Sequence, residues 1–298
     1  MKKLFSLIGV AVLAVGFYVV NGSGDISDFL GQESSSPKAE SVEMTNGEKD
    51  LLNTEFDKDK YPNYYAKVDN NKTELTDDDK ALLDEKGTDE KWASYNNLDN
   101  LGRSGETRSL ITYDGVLKHS KGYLKKQGGT YDGKQIDDRP PFPYDVHVSG
   151  EYQDGTYDAS EQTWKGENSN NDQVKFDDGS KQWLYNKSHS FGWGLGGDME
   201  THNVTLGTRY QNVGTDRNGG MAYAENKIKD AVYDNHDLKV YYDVKPLYKG
   251  DELVPRGSHV RAYSVNDDGK TININVYVFN AQEGFDINYQ DGSFENHN

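Results

Sequence analysis

Short runs of aromatic and branched residues, separated by Gly, Asp and Asn, make up most of the chain from Tyr131 onward. Turn-forming residues at such short intervals are typical of short strands joined by loops. The pattern predicts strands at residues 182–185, 239–244 and 272–279, with a turn at 266–269 between the last two. No segment repeats another, so we expect one β-rich domain rather than a repeat array.

Two segments have the spacing of helices instead. Apolar residues fall on one side of the segment 221–232, at Met221, Ala224, Ile228, Ala231 and Val232. Residues 76–79 (T-D-D-D) precede three apolar residues and read as a capping box that opens a short helix. The chain has no cysteine, so packing rather than disulfides must stabilise it. Strands with a few helices predict an α+β fold.

The first residues have the composition of an export signal. Lys2 and Lys3 precede an uncharged, apolar run over residues 4–20. The run is also just long enough to span a bilayer, and no clean cleavage site follows it. We therefore expect residues 1–21 to be a signal peptide or an N-terminal membrane anchor. The protein would then be secreted or held on the outer face of the membrane; a buried helix of a cytosolic protein is the less common alternative.

The next segment has the composition of a linker. Residues 22–55 contain eight acidic residues, two lysines and a Ser-Ser-Ser-Pro run, with almost no periodic apolar pattern. Such a composition buries too little apolar surface to become ordered. The sequence therefore predicts an acidic flexible linker over 22–55 and a folded domain over 56–298.

The overall charge argues against a broad nucleic-acid-binding surface. The net charge is −17, whereas domains that bind nucleic acid are usually basic. Residues 103–126 nevertheless form a local basic cluster, in which six basic residues oppose two acidic ones: Arg103, Arg108, Lys118, Lys121, Lys125 and Lys126 against Glu106 and Asp114. This pattern fits a focused cleft and predicts weak binding elsewhere.

One histidine and two asparagines follow each other around a glycine-rich run. His189 is expected just past the end of the 182–185 strand, Asn203 and Asn212 come after it, and Glu225 lies on the predicted helix. A neutral imidazole can accept a proton from water. A carboxamide oxygen is a hard ligand that suits Mg²⁺, which keeps most of its waters. Together these groups predict phosphodiester hydrolysis with one hard metal ion.

Each candidate also has an ordinary structural interpretation. A lone histidine is more often structural than catalytic, asparagines are common in turns, and helical glutamates are usually solvated. Arg209 is either a surface charge or a clamp for phosphate. The carboxylates at 77–79 lack the Gly and Glu of an EF-hand loop and read as a solvated helix start. The hypothesis therefore depends on the whole set.

Longer motifs around these residues resemble one family. The segment 188–225 is similar to the DNA/RNA non-specific endonucleases, the ββα-metal nucleases, and most of all to secreted or membrane-anchored DNases of Gram-positive bacteria, including those of DNA uptake. Residues 95–105, Y-N-N-L-D-N-L-G-R-S-G, resemble the family's Y-x-x-L-D-x-L-G-R-x-G. The similarity continues through residues 219–225 and 252–255, and covers about residues 60–298.

The resemblance implies a ββα-metal nuclease core on a mainly antiparallel sheet with flanking helices. By position it makes His189 the general base and Asn212 the direct ligand of Mg²⁺, with Mn²⁺ as the alternative ion. Asn203 would orient the site, and Glu225 would hold metal-bound water. The ion would bind a phosphate oxygen and the leaving 3′ oxygen, and cleavage would leave a 5′-phosphate. DNA is the expected substrate, with RNA left open.

The sequence departs from the family's D-R-G-H form at Asn186, Lys187 and Ser188. Lys187 and Arg209 are the candidate substrate-binding residues, although a lysine lacks the bidentate fork of an arginine. Residues 253–259 (L-V-P-R-G-S-H) spell a protease-site linker that is common in cloning. Because they lie inside the family's own Leu-Val-Pro element, we interpret them as native sequence.

The competing class is a non-enzymatic binder, a secreted acidic β-domain that holds cell wall, carbohydrate or DNA on aromatic side chains. The 21 tyrosines and 4 tryptophans allow it. The presence of all four site residues at family spacing favours the enzyme instead. The sequence leaves open whether an inhibitor protein is a further partner.

Overall fold

The computed structural model describes residues 46–119 and 139–297. The N-terminal apolar run and the basic residues at 121, 125 and 126 lie outside these ranges. Within the two described ranges, no helix is both long enough and apolar enough to cross a membrane.

The described residues form five α-helices and fourteen β-strands. The helices are Asn46–Leu52 (α1), Asp77–Lys86 (α2), Tyr113–Lys118 (α3), Arg209–Val213 (α4) and Ala222–Asp234 (α5). The strands are Tyr65–Lys67 (β1), Trp92–Tyr95 (β2), Thr107–Ile111 (β3), Thr156–Asp158 (β4), Thr163–Lys165 (β5), Gln173–Lys175 (β6), Lys181–Trp183 (β7), Tyr185–His189 (β8), Val204–Thr208 (β9), Val240–Leu247 (β10), Gly257–Ser264 (β11), Asn273–Phe279 (β12), Phe285–Ile287 (β13) and Phe294–Asn296 (β14).

Six of these strands form one antiparallel sheet, in the order β1–β12–β11–β10–β3–β2. The long strands β10, β11 and β12 form its middle, with Val244 opposite Val260 and Val260 opposite Val276. The remaining strands form the pairs β4–β5, β6–β7, β8–β9 and β13–β14. This mainly antiparallel arrangement with a few helices confirms the predicted α+β fold.

Consecutive side chains in a strand point to opposite faces of the sheet, so the two faces of the six-stranded sheet present different side chains. A helix packs on each face. On one face, Tyr242 and Val260 pack with Ile228 of α5 in the main hydrophobic core. On the other face, Tyr241 packs with Leu83 of α2. All five side chains are buried.

Both predicted helices are confirmed. At the start of α2, the Thr76 side chain accepts a hydrogen bond from the Asp79 N–H at 3.1 Å, and the Asp79 carboxylate accepts one from the Thr76 N–H at 2.9 Å. In α5, Ile228 and Val232 are fully buried, as the apolar spacing predicts. These signals are local in sequence, so they could be read without knowledge of the fold.

The prediction for the C-terminal strands misses one strand. β11 lies between β10 and β12 and pairs with both, so the turn at 266–269 joins β11 to β12. Polar residues alternate with apolar ones along β11, and its first residues are Gly257 and Ser258, which concealed the strand. The strand's position in the middle of the sheet supports the native interpretation of residues 253–259.

The predicted linker also needs a correction, since its last part is packed. Helix α1 lies within residues 22–55, and its Glu48 is only 6% exposed. The Glu48 carboxylate pairs with the Lys245 ammonium, with 3.0 Å between Oε2 and Nζ. Leu51 and Leu52 pack against a cluster formed by Leu247, Tyr277 and Phe279. The acidic composition of the whole segment concealed this short apolar pattern.

Candidate active site

The hairpin of β8 and β9 carries two of the predicted site residues. His189 is the last residue of β8 and lies opposite Val204, the first residue of β9. Asn203 directly precedes β9. The strand predicted at 182–185 is divided between β7 and β8 at Leu184, so His189 ends a strand rather than following one. A second hydrophobic cluster supports the hairpin, and its buried members include Val146, Val148, Leu184, Tyr185, Leu206 and Phe285.

His189 lies in a nearly closed environment and is 7% exposed. Its ring stacks on Phe142, with 5.2 Å between the ring centroids, and it hydrogen-bonds the backbone carbonyl of Asp198. Nε2 is buried and has no hydrogen-bond partner among the described residues, so Nδ1 is the nitrogen that donates to this carbonyl. The lone pair of Nε2 is therefore available to accept a proton.

The electrostatic environment keeps this imidazole neutral. The pKa of His189 is lowered to about 4, chiefly by burial and then by the charge of Arg139, while the Asp198 carbonyl acts in the opposite direction. The sequence predicts a ring with its ordinary pKa; burial, which the sequence does not reveal, accounts for the difference. At neutral pH the ring is in the uncharged form that a general base needs.

A glycine-rich segment, residues 190–198, follows His189 and forms the site loop. Asn203 is fully buried and fastens both ends of this loop. Its Oδ1 accepts a hydrogen bond from the Phe191 N–H at 2.8 Å, and its Nδ2 donates to the carbonyls of Phe191 at 2.9 Å and Asp198 at 3.0 Å. A Cβ on Gly197 would lie 1.8 Å from the Phe191 carbonyl oxygen, so this position requires glycine. The Asn203 side chain therefore shapes the loop by binding the loop's backbone groups.

Glu225 reaches the site loop from α5. It lies in the first turn of that helix, and its Oε1 is 2.5 Å from the point where a Cβ on Gly192 would lie. The carboxylate therefore lies against the loop three residues after His189. Its charge also acts on Arg139, whose pKa is lowered by burial and raised by Glu225.

Arg139 also belongs to this cluster, although the sequence does not predict it as a site residue. Its guanidinium lies 5.3 Å from the ring centroid of Phe142, the ring that stacks on His189. Arg139 is close enough to His189 to lower the pKa of the imidazole. It is also close enough to Glu225 for that carboxylate to act on the pKa of Arg139 in the upward direction. No motif in the sequence marks Arg139, because its proximity to the hairpin arises only from the tertiary fold.

Asn212 lies on α4, which follows β9 directly. Its Oδ1 accepts a long hydrogen bond of 3.5 Å from Ser188, the residue before His189. Within the described ranges, no group of three or more His, Cys, Asp and Glu side chains is placed to hold a metal ion. An amide oxygen with one weak partner fits Mg²⁺ or Mn²⁺, which take few protein ligands and keep several waters.

Of the two predicted substrate-binding residues, Lys187 lies at the edge of this cluster, with its ammonium 5.8 Å from the Phe142 ring centroid, whereas Arg209 lies apart from it. The Lys187 ammonium pairs with Glu151, with 3.1 Å between Nζ and Oε1, and also donates to the Val146 carbonyl. Arg209 follows Thr208, which lies opposite Tyr185 at the other end of the hairpin from His189. The pKa of Arg209 is lowered by burial and by the charge of Arg217.

A groove of about 1140 Å³ lies beside this cluster, and Pro143, next to Phe142, forms part of its wall. Its lining includes Tyr95, Asn96, Trp164, Glu200 and His202. The acidic residues Asp145 and Glu161 also line it. The groove is therefore polar and partly acidic, and it lies beside the His189 cluster.

Three comparisons with known proteins find similar nucleases. A profile of the family described as DNA/RNA non-specific endonuclease matches residues 150–266. A curated protein of Streptococcus dysgalactiae subsp. equisimilis, named deoxyribonuclease, is 34% identical over 224 residues, which are 69% of this chain. The chain spans 63% of that relative's length.

Solved structures extend the likeness. The structure of Sda1 nuclease with bound zinc ion is 30% identical and has a TM-score of 0.61; the match covers 81% of this chain and 99% of that one. NucA from Streptococcus agalactiae with magnesium ion bound has a TM-score of 0.54 at 19% identity, over 78% of this chain and 89% of that one, and shows the fold alone.

Proposed function

Because the chain belongs to the DNA/RNA non-specific endonuclease family, we propose that it hydrolyses phosphodiester bonds of DNA with a divalent cation, leaving a 5′-phosphate. RNA is the second candidate substrate. The observation that carries the proposal is the neutral, buried His189, whose Nε2 has no partner among the described residues and which lies near Arg139, itself near Glu225.

His189 is the proposed general base. Its Nδ1–H donates to the Asp198 carbonyl, so the lone pair of Nε2 can take the proton from the attacking water. The depressed pKa keeps the ring ready for this step without a prior loss of a proton. General-base catalysis of this kind contributes a factor of roughly 10²–10⁴ to the rate.

Asn212 is the proposed direct ligand of Mg²⁺ or Mn²⁺, through its Oδ1. Glu225 would orient water molecules around that ion. When bound, the cation offsets negative charge on the phosphate and on the leaving 3′ oxygen. The zinc of Sda1 nuclease and the magnesium of NucA support a divalent cation in general.

Arg139 is the proposed phosphate-binding residue, in place of Lys187 and Arg209. Both cations lie near the Phe142 ring that stacks on His189, Arg139 at 5.3 Å and Lys187 at 5.8 Å from its centroid, but the Lys187 ammonium already has Glu151 as its partner. A planar guanidinium binds two phosphate oxygens at once, which an ammonium cannot do. Although the chain as a whole is acidic, the positive charge of Arg139 would then lie at the reacting phosphate.

Plasmid cleavage by Asn212→Ala tests the cation site, with Asn226→Ala as the matched control. Asn226 lies on α5 and its side chain contacts Arg217 and Asn218 on the surface. We expect Asn212→Ala to lose most activity and Mn²⁺ binding while its unfolding temperature is unchanged, and Asn226→Ala to retain both. Full wild-type activity after chelation of divalent ions would contradict the proposal.

The N-terminal sequence supports action outside the cell, either as a secreted enzyme or anchored on the outer face of the membrane. Activity in the medium of cells that express the chain, compared with a variant carrying Leu13→Asp in the apolar run, tests export. The cluster of His189, Arg139 and Glu225 favours an enzyme over the competing interpretation, which is a non-enzymatic binder.

A further inference from the structure

The two ends of the motif at residues 95–105 have different contacts. The end that contains Asp99 and Arg103 has a purely structural role. Asp99 accepts hydrogen bonds from the backbone N–H groups of Leu101 and Arg103 and from the Arg103 guanidinium. Arg103 in turn donates to the carbonyls of Gly250 and Glu252. This end fastens the segment to the connection between β10 and β11. The other end, Tyr95, has different contacts.

Tyr95 contacts the site loop. Its hydroxyl hydrogen-bonds the carboxylate of Asp198, the last residue of the loop. Its ring packs on the His202 ring, with 4.2 Å between centroids. His202 is itself 3.4 Å from the Asp198 carboxylate, measured from Nε2 to Oδ2. Tyr95 and His202 therefore hold the Asp198 side chain from two directions.

Asp198 connects these contacts to the general base. Its backbone carbonyl accepts the hydrogen bond from His189 and one from Asn203 Nδ2 at 3.0 Å. Burial raises the pKa of Asp198, but hydrogen bonds from His202, Tyr95 and the Glu200 N–H outweigh it, and the pKa is lowered. The carboxylate is thus ionised and held, while the carbonyl of the same residue faces the imidazole.

We infer that Asp198, fixed by Tyr95 and His202, is a positioning residue that sets the tautomer and orientation of the His189 ring. A neutral imidazole carries one N–H, and the acceptor beside Nδ1 decides that Nε2 stays unprotonated. The site loop is rich in glycine, so its backbone has few preferences of its own. Side-chain anchors must therefore hold the carbonyl in place. The inference rests on the proposed function of His189 as the base.

A tyrosine–aspartate pair elsewhere in the molecule provides the matched control. The Tyr241 hydroxyl donates to Asp79 Oδ1 at 2.7 Å, on the α2 face of the sheet. Tyr95→Phe and Tyr241→Phe each remove one hydroxyl that bonds a carboxylate, but only the first touches the site loop. An effect on stability alone would be similar in both variants.

The test measures kcat, KM, the unfolding temperature and the imidazole ¹⁵N shifts of His189, assigned by their absence from His189→Gly. For Tyr95→Phe we expect kcat to fall about 10-fold with unchanged KM, and the ¹⁵N shifts to report a mixture of tautomers. Tyr241→Phe keeps the wild-type kcat and shifts. Asp198→Asn retains an acceptor oxygen for Tyr95, so its kcat and ¹⁵N shifts should lie between those of the wild type and those of Asp198→Ala.

Wild-type kcat and ¹⁵N shifts in both Tyr95→Phe and Asp198→Ala would overturn the inference. A lower kcat with unchanged His189 shifts would also overturn it, since Tyr95 would then act on substrate through the groove. A wild-type protein that does not cleave nucleic acid removes the proposed function, but the ¹⁵N shifts of the same variants still report whether Asp198 sets the tautomer.

Discussion

The six-stranded sheet and the site loop use different contacts to keep their shape. In the sheet, buried apolar side chains such as Val244, Val260 and Val276 lie next to one another across the strands. The site loop also buries Phe191 and Leu195. Its backbone, however, is held by polar side chains from distant segments: Lys91 donates to Gly196 O at 2.5 Å, His119 to Trp193 O at 2.7 Å, and Asn203 to Phe191 O and Asp198 O.

Because of this difference, the contacts that stabilise the fold are not the contacts that fix the positions of atoms in the site loop. Apolar burial is non-directional, so it stabilises the fold without fixing an atom to a fraction of an ångström. Hydrogen bonds have preferred distances and angles, and those around the site loop fix the carbonyl that orients His189. Substitutions in the sheet should therefore change unfolding, and substitutions around the loop should change turnover.

The largest expected effect is that of His189→Gly. Loss of the base should lower kcat by roughly 10²–10⁴-fold, and added imidazole should restore part of the activity in proportion to its unprotonated fraction. His259→Gly is the matched control, because His259 lies in the sheet and bonds Asn275 Oδ1 at 2.8 Å. It should lower stability, and imidazole should not affect it. Wild-type turnover in folded His189→Gly would contradict the assignment.

Ile228→Ala tests the other side of the comparison. Ile228 is fully buried on α5, one turn after Glu225. Truncating it should lower the free energy of unfolding by about 2–5 kcal/mol, with little change in kcat at a temperature where the protein is folded. Urea unfolding and plasmid cleavage on the same preparation measure both. A large loss of kcat with a small loss of stability would break the separation.

The pH dependence of unfolding should reveal the buried imidazole. The folded pKa of His189, about 4, lies below the usual value near 6.5, so protons bind more readily to the unfolded chain. The contribution is fully present above pH 6.5 and is lost as the pH falls from 6.5 to 4, by about 3 kcal/mol at most. Urea unfolding of wild type and His189→Gln over this range measures the difference; parallel curves would contradict the burial argument.

The smallest expected effect concerns α1. A chain that begins at residue 56 lacks the Glu48–Lys245 pair and the contacts of Leu51 and Leu52. Its free energy of unfolding should be lower by about 1–2 kcal/mol than that of a chain beginning at residue 45, while kcat is equal, since α1 packs against the sheet. Thermal unfolding of the two chains decides this, and identical transitions would return the boundary to residue 56.

Local patterns predicted those parts of the fold that depend on neighbouring residues. The capping box of α2 and the apolar side of α5 are examples, since both are complete within one turn or one helix. β11 and α1 were missed because their packing partners lie far away in sequence. The composition of β11 resembles a linker, and α1 lies in an acidic segment, so only the tertiary contacts distinguish them.

The candidate site shows the same division. Motif spacing predicts His189, Asn203, Asn212 and Glu225 as site residues, and in the structure each of these residues contacts the β8–β9 hairpin or the site loop. Motif spacing does not mark Arg139 or the contacts of Tyr95 with the site loop, because both depend on segments that are distant in sequence. Nor could it predict the direction of the pKa shift of His189, since the shift depends on burial.

The position of residues 253–259 has a practical consequence. The peptide bond between Arg256 and Gly257 matches the specificity of a protease widely used to remove tags, yet Val254 is fully buried and Gly257 begins the central strand β11. Proteolysis requires an extended, accessible chain, so cleavage there depends on how often the sheet opens. The molecule therefore contains an internal reporter of its own opening, and the rate of cutting at one bond can measure stability without any added label.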